Sequence, residues 1–168
     1  MFHKLIGAIF IIVSCIFFSN CLTDKLRKRR DSLKAFDRLL ILLETEIAYL
    51  NNPLETAFLN ISGSVELGGF LPHLISGIKK DGIKLSWQRS IKTFKSELSL
   101  TDGDIKILLS LSHQLGATDI DNQVKNIQYI HKLLKSPIDD AQKNFKTLSR
   151  LYRSISLSVG IGAIILLI

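Results

Sequence analysis

The chain has 168 residues, with 22 lysines and arginines against 15 aspartates and glutamates, giving a net charge of +7 with the histidines neutral. Apolar residues make up 46% of it and there are three prolines, a composition that excludes an intrinsically disordered chain. The two cysteines, Cys15 and Cys21, lie in one apolar run on different helical faces, which excludes a disulfide framework and fits a reducing compartment.

From Leu5 to Thr23 there is no charge for 19 residues. About 20 apolar residues at ~1.5 Å rise cover the ~30 Å hydrocarbon layer of a bilayer, so residues 1–23 are predicted to be a transmembrane helix. Lys25, Arg27, Lys28, Arg29 and Arg30 follow at once. Cations beside a membrane helix mark its cytoplasmic flank and attract anionic lipid headgroups at ~1 kcal/mol each. That adjacency explains the surplus charge better than nucleic acid, whose binding patch would be spread over a face and mixed with aromatics. A secretory signal is the competing reading, since Met1-Phe2-His3-Lys4 is a short basic start and Ile12-Val13-Ser14-Cys15 would make Cys15 a lipidated N-terminus. Against it, the chain stays apolar after Cys15 and the cations follow the run, so the expectation is an uncleaved anchor with the central domain cytoplasmic.

Leu33, Phe36, Leu40, Leu43, Ile47 and Leu50 form a heptad stripe that extends back to Leu26, predicting that the first helix continues unbroken to about Leu50. Asn51-Asn52-Pro53 should stop it, with Asn capping and Pro opening a short helix from Pro53 to about Ile61. Glycines 63, 68, 69, 77 and 82 punctuate a less regular stretch holding a short helical piece, Phe70 to Lys79. The next helix spans about Leu85 to Leu98, with Trp87, Ile91, Phe94 and Leu98 on one side. Thr101 and Asp104 have capping-box spacing and open a helix expected to end at Gly116.

Asp119 begins the last helix, whose stripe is Val124, Ile127, His131, Leu134, Ile138, Ala141, Phe145, Leu148 and Tyr152, with a bend expected at Pro137. It runs into Ser154–Ile168, 15 uncharged residues. At ~22 Å that segment sits short of a full crossing or draws Tyr152 and Arg153 into the interface, while Arg150 and Arg153 repeat the cytoplasmic charge signal. The expected fold is all-α: an antiparallel helical stalk capped by shorter helices and anchored by a membrane helix at each terminus, with boundaries 1–23, 24–153 and 154–168.

Chemistry is sparse. His3, His73, His113 and His131 are scattered without converging partners, so no metal and no cofactor is expected, and His131 on the apolar stripe reads as a hydrogen-bonded core histidine. Gly160-x-Gly162 lies in the final apolar run, where it does not read as a phosphate loop. Ser154, Ser158 and Gly162, and likewise Ser156 and Gly160, recur at spacings of four that suit close packing on another membrane helix. Glu44 and Glu46 do not converge for acid–base work and flank the heptad seam, where they would meet a partner's Lys or Arg or stay solvated. Trp87 reads as core. No enzymatic activity is expected.

Leu43-Glu44-Thr45-Glu46-Ile47 with Tyr49, then Pro53-Leu54-x-x-Ala57, resembles the signature of the stage III sporulation protein AB family of endospore-forming bacteria. So do Trp87, Leu115-Gly116-Ala117-Thr118-Asp119 with Gln123, and Leu148-x-x-Leu151-Tyr152-Arg153-Ser154 leading into the final apolar run. Ser156 departs from the family's glycine. The resemblance implies a platform protein of the secretion-like complex joining mother cell and forespore, similar to the inner-membrane platform of type II secretion and type IV pilus machines. It implies a mother-cell membrane location, a secretion-type ATPase and other membrane proteins of the complex as partners, and Glu44, Glu46 and Tyr49 on or beside a contact surface. The lipid bilayer is a further partner, nucleic acid is not, and self-association into a homo-oligomer is compatible with the small-residue faces. The alternative is an exported lipoprotein, or a self-assembling helical membrane protein, acting as a binding module.

Overall fold

The computed structural model describes residues 2–50, 52–113, 115–116 and 119–167, without the side chains of 2–6, 8–12, 15, 18, 19, 22 and 163–167. Cys15, Asn51, Ala117 and Thr118, all used above, therefore lie outside the described residues or side chains. The described residues form five helices: α1 Phe2–Ala48, α2 Leu54–Ile61, α3 Phe70–Phe94, α4 Asp102–Leu111 and α5 Ile120–Leu167. The described residues contain no strand, as the absence of alternating patterns predicts. They form two compact units, Met1–Lys28 with Asp140–Ile168, and Arg29–Asp139.

The unit Arg29–Asp139 holds the hydrophobic core. Five members of the predicted α1 stripe, Leu33, Phe36, Leu40, Leu43 and Ile47, are buried there. Leu39 is buried as well, because α1 meets neighbours over a wider arc than one coiled-coil seam. Leu50 is 57% exposed, since the helix has already ended at Ala48. Within this unit α5 lies antiparallel to α1: Gln128 Nε2 donates to Glu44 Oε1 at 2.7 Å, and His131 approaches Asp37. On α5, Ile127 and Leu134 are buried as predicted and Ile130 joins them. The helix continues through Pro137, whose missing N–H leaves the Leu133 carbonyl without its helical donor.

The α1–α2 corner differs from expectation. Pro53, in extended geometry (φ −56°, ψ 147°), is the N-cap of α2 and not its first residue, and no side chain caps the helix. The Asn52 side-chain amide donates to Glu46 Oε2 at 2.7 Å.

α3 is two helical arms folded at Gly82, whose φ 75° and ψ 166° break the helix. The break matches the gap predicted between Lys79 and Leu85, and it turns the segment into an αα-hairpin. The arms pass so closely that a Cβ on Gly77 would sit 2.8 Å from Ser86 Oγ, and His73 Nδ1 meets Ser90 Oγ at 2.8 Å. A Cβ at Gly82 would meet nothing within 4 Å, so its requirement for glycine is purely conformational. Gly82→Ala is therefore expected to destabilise by about 2 kcal/mol through backbone strain alone, read as a lowered urea midpoint with unchanged slope. Beyond Phe94 one further turn closes with Leu100 N–H to Lys95 O (3.0 Å) and Ser99 N–H to Ser96 O (3.2 Å), Ser99 standing at φ 54°. That is a Schellman ending at the predicted end of the helix, Leu98.

The capping box at α4 forms as predicted: Thr101 Oγ1 accepts from the Asp104 N–H and Asp104 Oδ2 accepts from the Thr101 N–H. α4 stops at Leu111 and not at Gly116. Ser112, fully buried, is the C-cap, and its N–H and that of His113 bond to Leu109 O (3.1 Å) and Ser110 O (3.4 Å), tightening the last turn.

Trp87 is the meeting point of the core, as its sequence context predicts. Fully buried, it lies 6.3 Å from Phe36 of α1, 6.1 Å from Phe58 of α2 and 5.5 Å from Phe70 of α3 between ring centroids. Its indole N–H donates to Leu108 O of α4 at 2.8 Å.

Among the described residues, no helix is long and apolar enough to cross a membrane. Eleven side chains of the run 5–23 and six of the run 154–168 lie outside that description.

Candidate functional site

Glu44, Glu46 and Tyr49 stand at the end of α1, and two different environments separate them. Glu44 is half-buried and accepts from Gln128 of α5, while Glu46 accepts two amides, Asn52 Nδ2 at 2.7 Å and Asn60 Nδ2 at 2.9 Å. Among the described residues neither forms an ion pair with Lys or Arg; neutral amide donors hold both carboxylates. Glu46 thereby clamps the corner between α1 and α2, which Asn52 N–H to Glu46 O at 3.1 Å reinforces. Tyr49 is 79% exposed, just past the helix end, with its backbone N–H bonded to Thr45 O. The site is thus a rigid acidic corner beside a projecting aromatic ring.

The basic flank is not uniform. Lys25 and Arg27 are exposed, Lys28 pairs with Asp24 at 3.5 Å, and Arg30 pairs with its neighbour Asp31 at 2.6 Å. Arg29, grouped by sequence with the membrane-flanking cations, faces the core unit: its Nε and Nη2 donate to the two oxygens of Asp104 at 2.8 and 2.9 Å. Asp104 is almost fully buried. Burial alone would raise its carboxyl pKa, but the hydrogen bonds from Arg29, then those from Thr101, and the Arg29 charge hold it below the ordinary 3.8. Arg27, Arg150 and Arg153 line one groove.

On the final helix, Ser158 Oγ donates to Ser154 O at 3.0 Å, Ser154, Ser158 and Gly162 are exposed, and Gly160 is buried. A Cβ on Gly162 would meet nothing within 4 Å. Cys21 is a free, exposed thiol.

His131 is half-buried, its side chain 27% exposed, rather than fully within the core. Its Nδ1 lies 2.7 Å from Asp37 Oδ1, an ion pair when the imidazole is protonated, though the approach misses hydrogen-bond geometry. Among the described residues no three His, Cys, Asp or Glu side chains converge as a metal site.

The contacts missed by the sequence reading, Arg29 to Asp104 and Glu44 to Gln128, join residues 75 and 84 positions apart. No local pattern encodes such pairs.

The fold and the site define an all-α protein whose distinctive surfaces are a braced acidic corner and a basic groove. The profile of the stage III sporulation protein AB family matches residues 4–168, and the chain belongs to that family. It is 27% identical over 170 aligned positions to "Stage III sporulation protein AB" of Bacillus subtilis (strain 168), covering 98% of each chain. A solved structure titled "Stage III sporulation protein AB (SpoIIIAB)" shares the fold at a TM-score of 0.64 and 24% identity, over 70% of this chain and 96% of that one. The resemblance noted from the sequence is thereby confirmed, and with it a role in sporulation.

Proposed function

We propose that the protein is a membrane platform of the secretion-like complex between mother cell and forespore, holding a cytoplasmic secretion-type ATPase. The observation that carries this is the order of features along α1: the uncharged run, then the cations, then the acidic corner, with Tyr49 just past the helix end. An apolar run followed by cations suits an anchor with a cytoplasmic domain, and the same flank precedes the uncharged end of α5. The corner suits docking because its carboxylates are already ordered, so a partner meets them without paying further side-chain entropy. Membership of a sporulation family supports the setting.

The test is binding of the full chain in nanodiscs to the ATPase of the same complex, at physiological salt. Saturable binding is expected. Tyr49→Ala should weaken it at least about ten-fold, as loss of an aromatic anchor does. Since Tyr49 is 79% exposed, its melting temperature should hold, surface changes costing within about 0.5 kcal/mol. The charge reversals Glu44→Lys and Glu46→Lys need a parallel fold measurement, because Glu46 also clamps the corner. Unchanged binding in all three variants would remove the corner from the interface. A folded full chain that bound no ATPase would be a passive scaffold.

A further inference from the structure

The other built feature lies in the unit formed by Met1–Lys28 and Asp140–Ile168. A groove of about 350 Å³ opens there between α1 and α5. Four cations line it: Arg27 from α1, and Lys146, Arg150 and Arg153 from α5. The three on α5 follow at intervals of four and three, which places them on one helical face. Among the described residues no Asp or Glu lines the groove and none of the four cations has an ion pair. Elsewhere on the chain the cations Lys28, Arg29 and Arg30 are each matched with a carboxylate. Four like charges gathered without a counter-charge repel one another, so the groove favours a bound anion.

Its remaining walls narrow the anion's chemistry. Asn20 and Ser149 add polar groups and Phe145 an apolar one. Guanidinium forks match the paired oxygens of a phosphate, which a single chloride would not exploit. The volume is many times the ~30 Å³ of one water, enough for a phosphate carrying further atoms.

Location narrows it again. Arg27 comes four residues after Thr23, where the first uncharged run ends, and Arg153 immediately precedes the second. The groove is therefore built where both helices change from charged to uncharged sequence. A soluble phosphate ester has no need of that border, whereas a phospholipid has its phosphate on one side of it and acyl chains on the other. Basic pockets between membrane helices on the cytoplasmic side hold anionic headgroups in this way.

We propose that this groove binds the phosphate of an anionic phospholipid. The inference rests on the membrane-platform reading. It adds a defined lipid site to what would otherwise be a diffuse electrostatic attraction of the flanking cations.

The experiment places the full chain in nanodiscs of phosphatidylcholine with a minor share of phosphatidylglycerol, and reads the lipids retained on the released protein by native mass spectrometry. Phosphatidylglycerol should be retained in preference to phosphatidylcholine. Arg150→Gln with Arg153→Gln should cut that preference about 25-fold, roughly five-fold for each cation removed. Both arginines are exposed, so the fold should survive. Lys132→Gln with Lys135→Gln removes the same charge from exposed positions of α5 outside the groove and should change nothing. Absence of any preference, or an equal loss in both double variants, would overturn the site. Glycerol 3-phosphate displacing the lipid at equal concentration would overturn the lipid as its source. A chain that enters nanodiscs without lipid preference refutes the groove alone; one that never enters them refutes the platform reading as well.

Discussion

Trp87→Ala is expected to cost about 4 kcal/mol, the middle of the range for truncating a buried aromatic, out of the roughly 5–15 kcal/mol that typically holds a domain together. The cause is the number of elements that end on this one side chain. Phe36, Phe58 and Phe70 bring α1, α2 and the first arm of α3 against the ring, and Leu108 of α4 is joined through the indole N–H. Truncation leaves a cavity that four elements would have to collapse together to fill, and strands a buried carbonyl. Trp87→Phe separates the two contributions. It keeps much of the packing and loses the 2.8 Å bond to Leu108 O, so it should cost about 1–2 kcal/mol plus the smaller void. Urea titration of the full chain in mild detergent, followed by circular dichroism, checks both. Equal losses for Ala and Phe would place the stabilisation in the hydrogen bond and refute the packing argument.

Arg29→Met should be the most damaging single change to a charged residue, at about 3 kcal/mol. It leaves the Asp104 carboxylate buried with the Thr101 hydrogen bonds but without a counter-charge. Because the Arg29 side chain is 18% exposed, the loss should fall at the low end of the range for buried pairs. Combining Arg29→Met with Asp104→Asn should cost less than the two changes added, since the second removes the stranded charge.

The pH dependence follows from the direction of the Asp104 shift. Its folded pKa is depressed, so the carboxylate contributes stability that is complete above the unfolded value of about 3.9 and is lost as pH falls through the folded value. The stability gap between the wild type and Asp104→Asn should therefore be constant near neutrality and close below about pH 4. A gap that persisted unchanged into strong acid would mean that the ionised carboxylate is not what stabilises the fold.

Which residues would form helices was legible because the signals are local. The three-four spacing of Leu33 to Ile47 needs only one turn of helix to be read, and the Thr101–Asp104 box only four residues. Gly82 marked the break between the arms of α3 for the same reason. The errors are of a different kind. Leu39 and Ile130 were missed because a helix packed on several sides buries more than its seam. The end of α4 was misplaced because its last turn tightens, the N–H groups of Ser112 and His113 bonding to carbonyls three residues back, which no local residue pattern signals. Asn52 does not cap α2 because the helix starts at Leu54, which puts Pro53 at the N-cap position and Asn52 one residue before it.

By itself, the sequence determined the helical class, the order of the elements, the core face of the two long helices and the family. Each of these is written in neighbours a few positions apart, or in motifs kept in order along the chain. Tertiary structure alone decided which charged and polar groups meet. Arg29 left the basic flank for Asp104, Glu46 became the clamp of a corner, and Lys146 joined three arginines around one groove. Apolar periodicity reports which side of a helix avoids water, whereas a hydrogen bond or an ion pair requires two atoms within about 3–4 Å, a condition that only the folded chain satisfies.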